Sequence, residues 1–393
     1  MSEPRNVVVV GAGLAGLRTI EELRGREYAG PITLIGAEAR LPYDRPPLSK
    51  KLMTGALDDT SLRPHLDELR VDVRLGEAAT GLRHGVLTTA AGEYAWDALV
   101  LATGASPVTL PGAGPQYVLR TLDEALTLRK LLTPGLRLAI IGAGWIGAEL
   151  ATAAAGLGCQ VTVLEAGPAP VAAAITAEVG RVTAAWYAEA GVDLRLSLGV
   201  TEVRAGGLAL ADGSWLDADV VVTAVGVRPA VSWLAGSGIA LDNGIAVDGQ
   251  LRTSLPGVFA VGDCAAFQSA RYGRRLRFEH WDVALHAPEV VAENVLGGSA
   301  SYDPVPYFWS EQFGRMVQYV GYHGGASRLL WRGDPAADRW AVAWLDDDRL
   351  AALLTVGLPR DLLQGRRVIS SGARVDPGRL ADPAVPVRDT VRS

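Results

Sequence analysis

The chain has 393 residues, enough for two or three domains that each bury a core. Its 49% hydrophobic and 20% charged residues are those of an ordinary globular protein, and a formal net charge of −6 argues against general nucleic-acid affinity. Two cysteines far apart in sequence, Cys159 and Cys264, support neither a disulfide framework nor a zinc site, and His280, His286 and the other histidines show no metal spacing.

Met1–Arg5 lead directly into an apolar run without a basic n-region, h-region or cleavage site, so no secretion signal is expected and the cytoplasm is the expected compartment. Four strand-like residues, Val7–Val10, precede Gly11-Ala12-Gly13-Leu14-Ala15-Gly16 and a helical stretch, Leu17–Arg24. In such a strand–turn–helix unit the first glycine makes the tight turn and the second lets the backbone approach a pyrophosphate. The third lets helix pack on strand, and the helix N-terminus presents its free N–H groups to the phosphates. The strand Ile32–Ile35 completes the unit. Arg40 to Thr60 is irregular and proline-rich. Shorter strands are predicted near Val71–Leu75 and Gly85–Thr89, then a buried strand at Ala98–Ala102. The uncharged stretch from Asp97 to Arg120 is broken by Pro107, Pro111 and Pro115, with Gly104, Gly112 and Gly114, and so reads as strand and connector rather than membrane span.

About 130 residues after the first fingerprint a second begins. Leu138–Ile141 lead to Gly142-Ala143-Gly144-Trp145-Ile146-Gly147 and a helix, Ala148–Ala155, and the strand Val161–Leu164 ends in Glu165. One fingerprint is a weak signal. Two, each in the strand–turn–helix context, imply two dinucleotides, and the natural pair is a bound flavin and a transient nicotinamide. Strands Val220–Val225 and Gly257–Val261 follow, leading to Gly226 and to Gly262-Asp263-Cys264-Ala265. From about Ser301 aromatics and short strand-like runs suggest a smaller α+β domain. The ends, Met1–Arg5 and about 384–393, are expected to be poorly ordered.

Read together, these motifs resemble the two-dinucleotide flavoproteins of glutathione-reductase fold, and within them the ferredoxin reductases of oxygenase systems. The resemblance spans essentially the whole chain. It rests on Gly11–Gly16, Tyr43-Asp44-Arg45-Pro46-Pro47-Leu48-Ser49-Lys50, Leu101-Ala102-Thr103-Gly104, Leu119-Arg120-Thr121, Gly142–Gly147 with Glu149, Val225-Gly226-Val227-Arg228-Pro229, Val261-Gly262-Asp263-Cys264-Ala265 and Phe308-Trp309-Ser310. It implies an α/β protein with two Rossmann-like dinucleotide-binding domains plus a C-terminal α+β domain. An FAD-binding domain would be built from 1–108 and 228–300, with an NAD-binding domain, 109–227, inserted between them, and 301–393 as the C-terminal domain.

The resemblance further implies FAD contacts from Gly11, Gly13, Leu14, Ala15, Gly16, Arg45, Pro46, Lys50, Ala79, Ala102, Thr103, Gly104, Arg120, Gly262, Asp263 and Trp281. NADH contacts would come from Gly142, Gly144, Trp145, Ile146, Gly147, Glu165 and Gly226. One position departs from the pattern: Ala37 stands where relatives often carry an acid for the adenosine ribose, and Glu38 follows. Either Glu38 takes over or the contact is lost.

Glu165 lies about 20 residues beyond the second fingerprint, where a carboxylate accepts from a ribose diol and repels a 2′-phosphate, which favours NADH; otherwise it is a solvated surface acid. Glu149 is placed in the first helical turn. By resemblance it faces the nicotinamide and approaches Lys50, although an acid there also suits the helix dipole. Lys50 would lie near flavin N5, where a cation stabilises reduced flavin; alone it would be an exposed loop lysine. Asp263 is expected to open a helical run and hold a ribityl hydroxyl, or simply to cap that helix. Trp281 would shield the ring, and Arg120 would meet the phosphates.

Residues 36–60 lack the cysteines that disulfide reductases, peroxidases or oxidases of this fold would need, so electrons must leave the flavin directly. The expected activity is hydride transfer from NADH to FAD, with Lys50 and Glu149 as the catalytic residues, then single electrons to a [2Fe–2S] ferredoxin that serves an oxygenase. The cluster belongs to that partner because the chain has no four-cysteine set. Arg271–Arg277, the densest basic run, is either a docking patch for an acidic ferredoxin or a solvated face. Alternatives are a reductase for rubredoxin, quinone or small oxidants, and an NADH-sensing flavoprotein of the apoptosis-inducing-factor type. A monomer and a homodimer are both compatible with the sequence.

Overall fold

A computed structural model describes residues 3–62, 66–83 and 85–392. Contacts divide the chain into two units: Met1–Asp44, Thr60–Ser106 and Arg228–Pro306 in the first, and Arg45–Asp59, Pro107–Val227 and Tyr307–Ser393 in the second.

The first unit is built on a five-stranded sheet in the order Val258–Ala260, Ala98–Leu101, Val7–Val10, Ile32–Gly36, Val71–Leu75, and every pairing in it is parallel. Its inner strands read as unbroken apolar runs because the sheet is covered on both faces, and all four residues of Val7–Val10 and of Ala98–Leu101 are buried. The chain winds outward from Val7–Val10 through Ile32 to Val71, then returns on the other side with Ala98 and Val258. The reversal places a topological switch point between Val7–Val10 and Ala98–Leu101, where open α/β sheets bind ligands at their carboxyl ends. Helices Leu14–Gly25 and Trp281–Val295 pack together in this unit.

The second unit repeats the plan. Its parallel sheet runs Asp193–Arg195, Gln160–Leu164, Arg137–Ile141, Val220–Thr223, with the reversal between the last two strands. Helix Trp145–Gly156 follows the fingerprint turn. The unit also holds an antiparallel sheet ordered Tyr307–Gln312, Arg315–Gly321, Arg349–Val356, Trp340–Asp346, Arg328–Arg332. Val179 and Trp186 of helix Ala177–Glu189 share one apolar core with Val317, Trp340 and Leu354 of that sheet.

Two expectations are corrected. The C-terminal end is ordered. Arg332, with only 2% of its side chain exposed, donates to the Asp361 carboxylate and to the carbonyls of Leu380, Asp382, Pro383 and Val385. Val387 and Thr390 are buried, and Val391 bridges to Val375. At the other end Arg5 is tied to Asp97 through its backbone N–H and its guanidinium; Met1, Ser2 and Ser393 lie outside the described residues. The second correction concerns Asp263, which opens no helical run. A single 3-10 turn, Gly262–Cys264, passes into the strand Ala265–Ser269, which pairs with Ile245–Val247 and Arg274–Leu276. Ala265, Ala266 and Phe267 are all buried, so a ladder partner on each side wins over helix formation.

Candidate functional site: two fingerprints and a buried lysine–glutamate pair

Both fingerprints have the same geometry at all three glycines. Gly11 and Gly142 have φ of +119° and +101°, and an added Cβ would meet Ala102 O at 2.1 Å and Ala224 O at 2.5 Å, each across the switch point. At Gly16 and Gly147 a Cβ would come within 2.0 Å of the Gly11 and Gly142 carbonyl oxygens. At Gly13 and Gly144 it would meet nothing within 4 Å. The first and third glycines are therefore demanded by the fold itself. The second is left free for something outside the protein to approach, which is the arrangement a bound pyrophosphate requires. Gly13 and Gly144 are also the N-caps of their helices and supply no side-chain cap, so the first-turn N–H groups are left to a ligand or to water.

In the first unit, Leu14, Ala15 and Gly16 form the first turn of helix Leu14–Gly25. Ala102, Thr103 and Gly104 follow the strand across the switch point. Thr103 donates its hydroxyl to Ala230 O (2.9 Å), and Gly104 O accepts from Ala230 N (3.0 Å), which fixes that turn. Gly262, at φ +76°, lies with its Cβ position 3.1 Å from the Ala15 methyl, so the turn carrying Asp263 sits against the fingerprint helix. Glu38 accepts from the Tyr43 hydroxyl at 2.6 Å, whereas Ala37 is exposed. Trp281 begins its helix and donates from Nε1 to Asp44 Oδ1 at 2.7 Å. Ala79 starts the strand Ala79–Arg83 opposite Thr89. The Arg271–Arg277 run is interleaved with acids: Arg275 pairs with Asp242 and Arg277 with Glu279.

In the second unit Glu165 is not a free surface acid. Its carboxylate accepts from the backbone N–H of Ala143 (2.8 Å) inside the fingerprint and of Gly167 (2.7 Å). Ile146 and Val225 are 41% and 40% exposed beside the same turn, and Gly226 follows at φ +104°. Trp145 packs edge-on against Phe308. Arg45 donates to Arg120 O at 2.6 Å, and the Thr121–Glu124 capping box holds the turn after Arg120.

The second unit also brings Lys50 and Glu149 together. Pro46–Ser49 form a 3-10 turn that ends at Lys50, and Lys50 Nζ lies 2.6 Å from Glu149 Oε2 and 3.2 Å from Pro46 O. The two side chains are 14% and 3% exposed, a buried ion pair. Glu149 is the fifth residue of helix Trp145–Gly156, one turn deeper than expected, so it faces the interior rather than serving the N-terminal dipole. It also accepts from the Ser49 and Ser310 hydroxyls. Neither serine was singled out by residue type. The available signal was the alternation Ser310-Glu311-Gln312, which sets Ser310 and Gln312 on one face of a strand, both buried.

Cys264 is fully buried and Cys159 partly so; burial pushes both thiols up, and each donates to backbone carbonyls. Among the described residues no group of side chains could hold a metal ion, and no helix is long and apolar enough to cross a membrane.

Residues 5–287 match the profile of the pyridine nucleotide-disulphide oxidoreductase family, and residues 307–391 that of the reductase C-terminal domain. The chain is 37% identical over 396 residues to the anthranilate 1,2-dioxygenase system ferredoxin–NAD(+) reductase component of Burkholderia cepacia, covering 96% of this chain and 97% of that protein. A crystal structure of Fdr9 superposes with a TM-score of 0.94 at 49% identity, covering 98% of this chain and 99% of that one. The covalent putidaredoxin reductase–putidaredoxin complex matches at TM-score 0.94 and 31% identity, with 98% of each chain covered.

Proposed function

The chain belongs to the pyridine nucleotide-disulphide oxidoreductase family, and from that membership we propose that it is an NADH-dependent, FAD-carrying reductase of a [2Fe–2S] ferredoxin that supplies an oxygenase in the cytoplasm. The observation that carries this reading is the matched pair of fingerprints, each with its second glycine open to solvent and its first and third closed by backbone. The chemistry supplied by bound FAD is acceptance of a hydride from NADH and release of the two electrons singly.

The residues divide that task. Gly11–Gly16, Ala102–Gly104, Glu38, Ala79, Gly262, Asp263 and Trp281 belong to the first unit, which is assigned to FAD. Backbone N–H groups at the helix start after Gly13 would hold the pyrophosphate, and the indole of Trp281, held by Asp44, would shield the ring. Arg45, Pro46, Lys50 and Arg120 are assigned to FAD on the resemblance. In the second unit Gly142–Gly147 and Gly226 take NADH. Glu165 steadies the fingerprint turn through Ala143 and disfavours a 2′-phosphate by its charge. The exposed Ile146 and Val225 offer apolar surface to the nicotinamide half. Lys50 would be the cation that offsets negative charge on the flavin, and Glu149 holds that ammonium in place.

The test is anaerobic stopped-flow reduction of the holoenzyme by NADH and by NADPH, followed by mixing with a [2Fe–2S] ferredoxin. Rapid bleaching by NADH, slower bleaching by NADPH and prompt reoxidation by ferredoxin are expected. Reduction by NADH without reoxidation by a panel of such ferredoxins would defeat the partner assignment. Slow turnover with every acceptor, together with an NADH-dependent change in oligomeric state, would point instead to a sensor.

A further inference from the structure

We propose that Ser310 and Gln312, on the first strand of the C-terminal sheet, are positioning residues that orient the Glu149 carboxylate and, through it, the Lys50 ammonium. The inference rests on the reading of Lys50 and Glu149 as the catalytic pair, and it gives the C-terminal sheet a part in hydride transfer.

The directions of the hydrogen bonds make the case. Gln312 Nε2 lies 3.1 Å from Ser310 Oγ, and an amide nitrogen only donates. The hydroxyl oxygen is thus an acceptor, and its one hydrogen is committed to Glu149 Oε1 at 2.6 Å. On the other side, Lys50 Nζ donates to Glu149 Oε2 at 2.6 Å and approaches Ser49 Oγ at 3.5 Å, so the Ser49 hydrogen also turns to Oε2. Three donors on two oxygens fix the rotation of the carboxylate. The two serine bonds are shielded from bulk water, since Glu149, Ser49, Ser310 and Gln312 are all less than a tenth exposed, and Lys50 is 14% exposed. A charge-assisted hydrogen bond in such surroundings is among the stronger ones.

Attachment of the strand to the helix does not depend on this contact. Phe313 N donates to Thr152 Oγ1 (3.0 Å) on the same helix, and Phe308 packs edge-on against Trp145 with ring centroids 4.7 Å apart. Removing the Ser310 hydroxyl should therefore leave the sheet docked while freeing Glu149 to rotate. Lys50 would then lose its fixed counter-ion without losing its place on the 3-10 turn.

The experiment uses the FAD-loaded enzyme and four variants: Ser310→Ala, Ser310→Thr, Gln312→Met and Glu149→Gln. Stopped-flow titration with NADH separates the apparent dissociation constant from the limiting rate of flavin reduction. Ser310→Ala should lower the limiting rate about tenfold, with NADH affinity within about twofold of wild type. Ser310→Thr should restore the rate, and Gln312→Met should fall between, because the serine hydrogen is then no longer committed. The proposal is overturned by a wild-type limiting rate in Ser310→Ala, or by a loss that tracks flavin content or unfolding temperature and is not rescued by threonine. A wild-type rate in Glu149→Gln would instead defeat the catalytic-pair reading itself, so the two failures are told apart.

Discussion

Replacing Gly144 by alanine should separate nucleotide binding from folding. The backbone there has φ −75° and ψ −171°, which alanine adopts freely, and a Cβ would have no atom within 4 Å. The folded protein loses only the modest preference for glycine over alanine at a helix N-cap, about 1 kcal/mol or less. The cost falls on the ligand, because the new methyl stands where the pyrophosphate must approach the helix N–H groups. Loss of one charge-assisted hydrogen bond is worth about 1.5–3 kcal/mol, roughly ten- to a hundredfold in NADH affinity. Gly147→Ala is the contrast. Its Cβ would lie 2.0 Å from Gly142 O, an overlap that only backbone movement can relieve, so about 3 kcal/mol of stability should go. Thermal unfolding, flavin content and stopped-flow NADH titration read all three effects. Gly144→Ala should unfold as wild type, keep its FAD and bind NADH weakly, whereas Gly13→Ala should fold but retain FAD poorly. Wild-type NADH affinity in Gly144→Ala would refute the claim that the open glycine marks the pyrophosphate site.

Three further outcomes are expected. Glu165→Gln can satisfy only one of the two backbone donors at Ala143 and Gly167, so NADH affinity should fall about tenfold and the preference over NADPH should narrow, as read by titration with both; unchanged discrimination would place selectivity elsewhere. Arg332→Met strands the Asp361 carboxylate and four carbonyls, and about 3–5 kcal/mol of stability should be lost, with faster proteolysis beyond residue 376; a resistant tail would show that Arg332 is not what holds it. Burial pushes the His280 pKa down to about 4 against the pull of Asp263, so the unfolded chain, titrating near 6.5, binds the extra proton first. Stability from this group is complete above pH 6.5 and is lost as pH falls toward 4, by at most about 3 kcal/mol. Denaturant midpoints at pH 7 and 4.5 should converge in His280→Phe relative to wild type, and an undiminished difference would remove His280 as the cause.

Much of this architecture was legible in the sequence because its strongest signals are local. Val7–Val10 and Gly11–Gly16 announce a strand, a turn and a helix within ten residues, and nothing distant is needed to read them. Glu165 could be placed for the same reason, since its spacing from the second fingerprint is set by one βαβ unit. What escaped was decided by long-range contacts. The helix expected after Asp263 lost to a ladder with Ile245–Val247 and Arg274–Leu276, strands that the local pattern of Ala265–Ser269 does not reveal. The tail from Ala384 was expected to be poorly ordered because what holds it is one buried arginine about 50 residues earlier. Ser49 and Ser310 appear in the sequence only inside longer motifs, with nothing local to join them, and only the fold brings residues 49, 149 and 310 to one carboxylate.

The same cluster bears on the chain's departure from the name of its family. A disulfide relay needs paired thiols beside the flavin, with one present as thiolate to attack its partner. Residues 36–60 contain no cysteine. Cys159 and Cys264 are both free, and burial raises both toward the protonated thiol, the form that does not attack. The segment that would carry such thiols instead forms the 3-10 turn Pro46–Ser49, whose end delivers a lysine onto a buried glutamate. On the proposed reading of Lys50 as a cation for the flavin, it would stabilise negative charge but accept no electrons, so the residues assigned to the site would support reduction by hydride without a covalent thiol route onward. Electrons then leave by direct transfer to an acceptor that docks, which is the behaviour required of a reductase whose partner is a one-electron carrier.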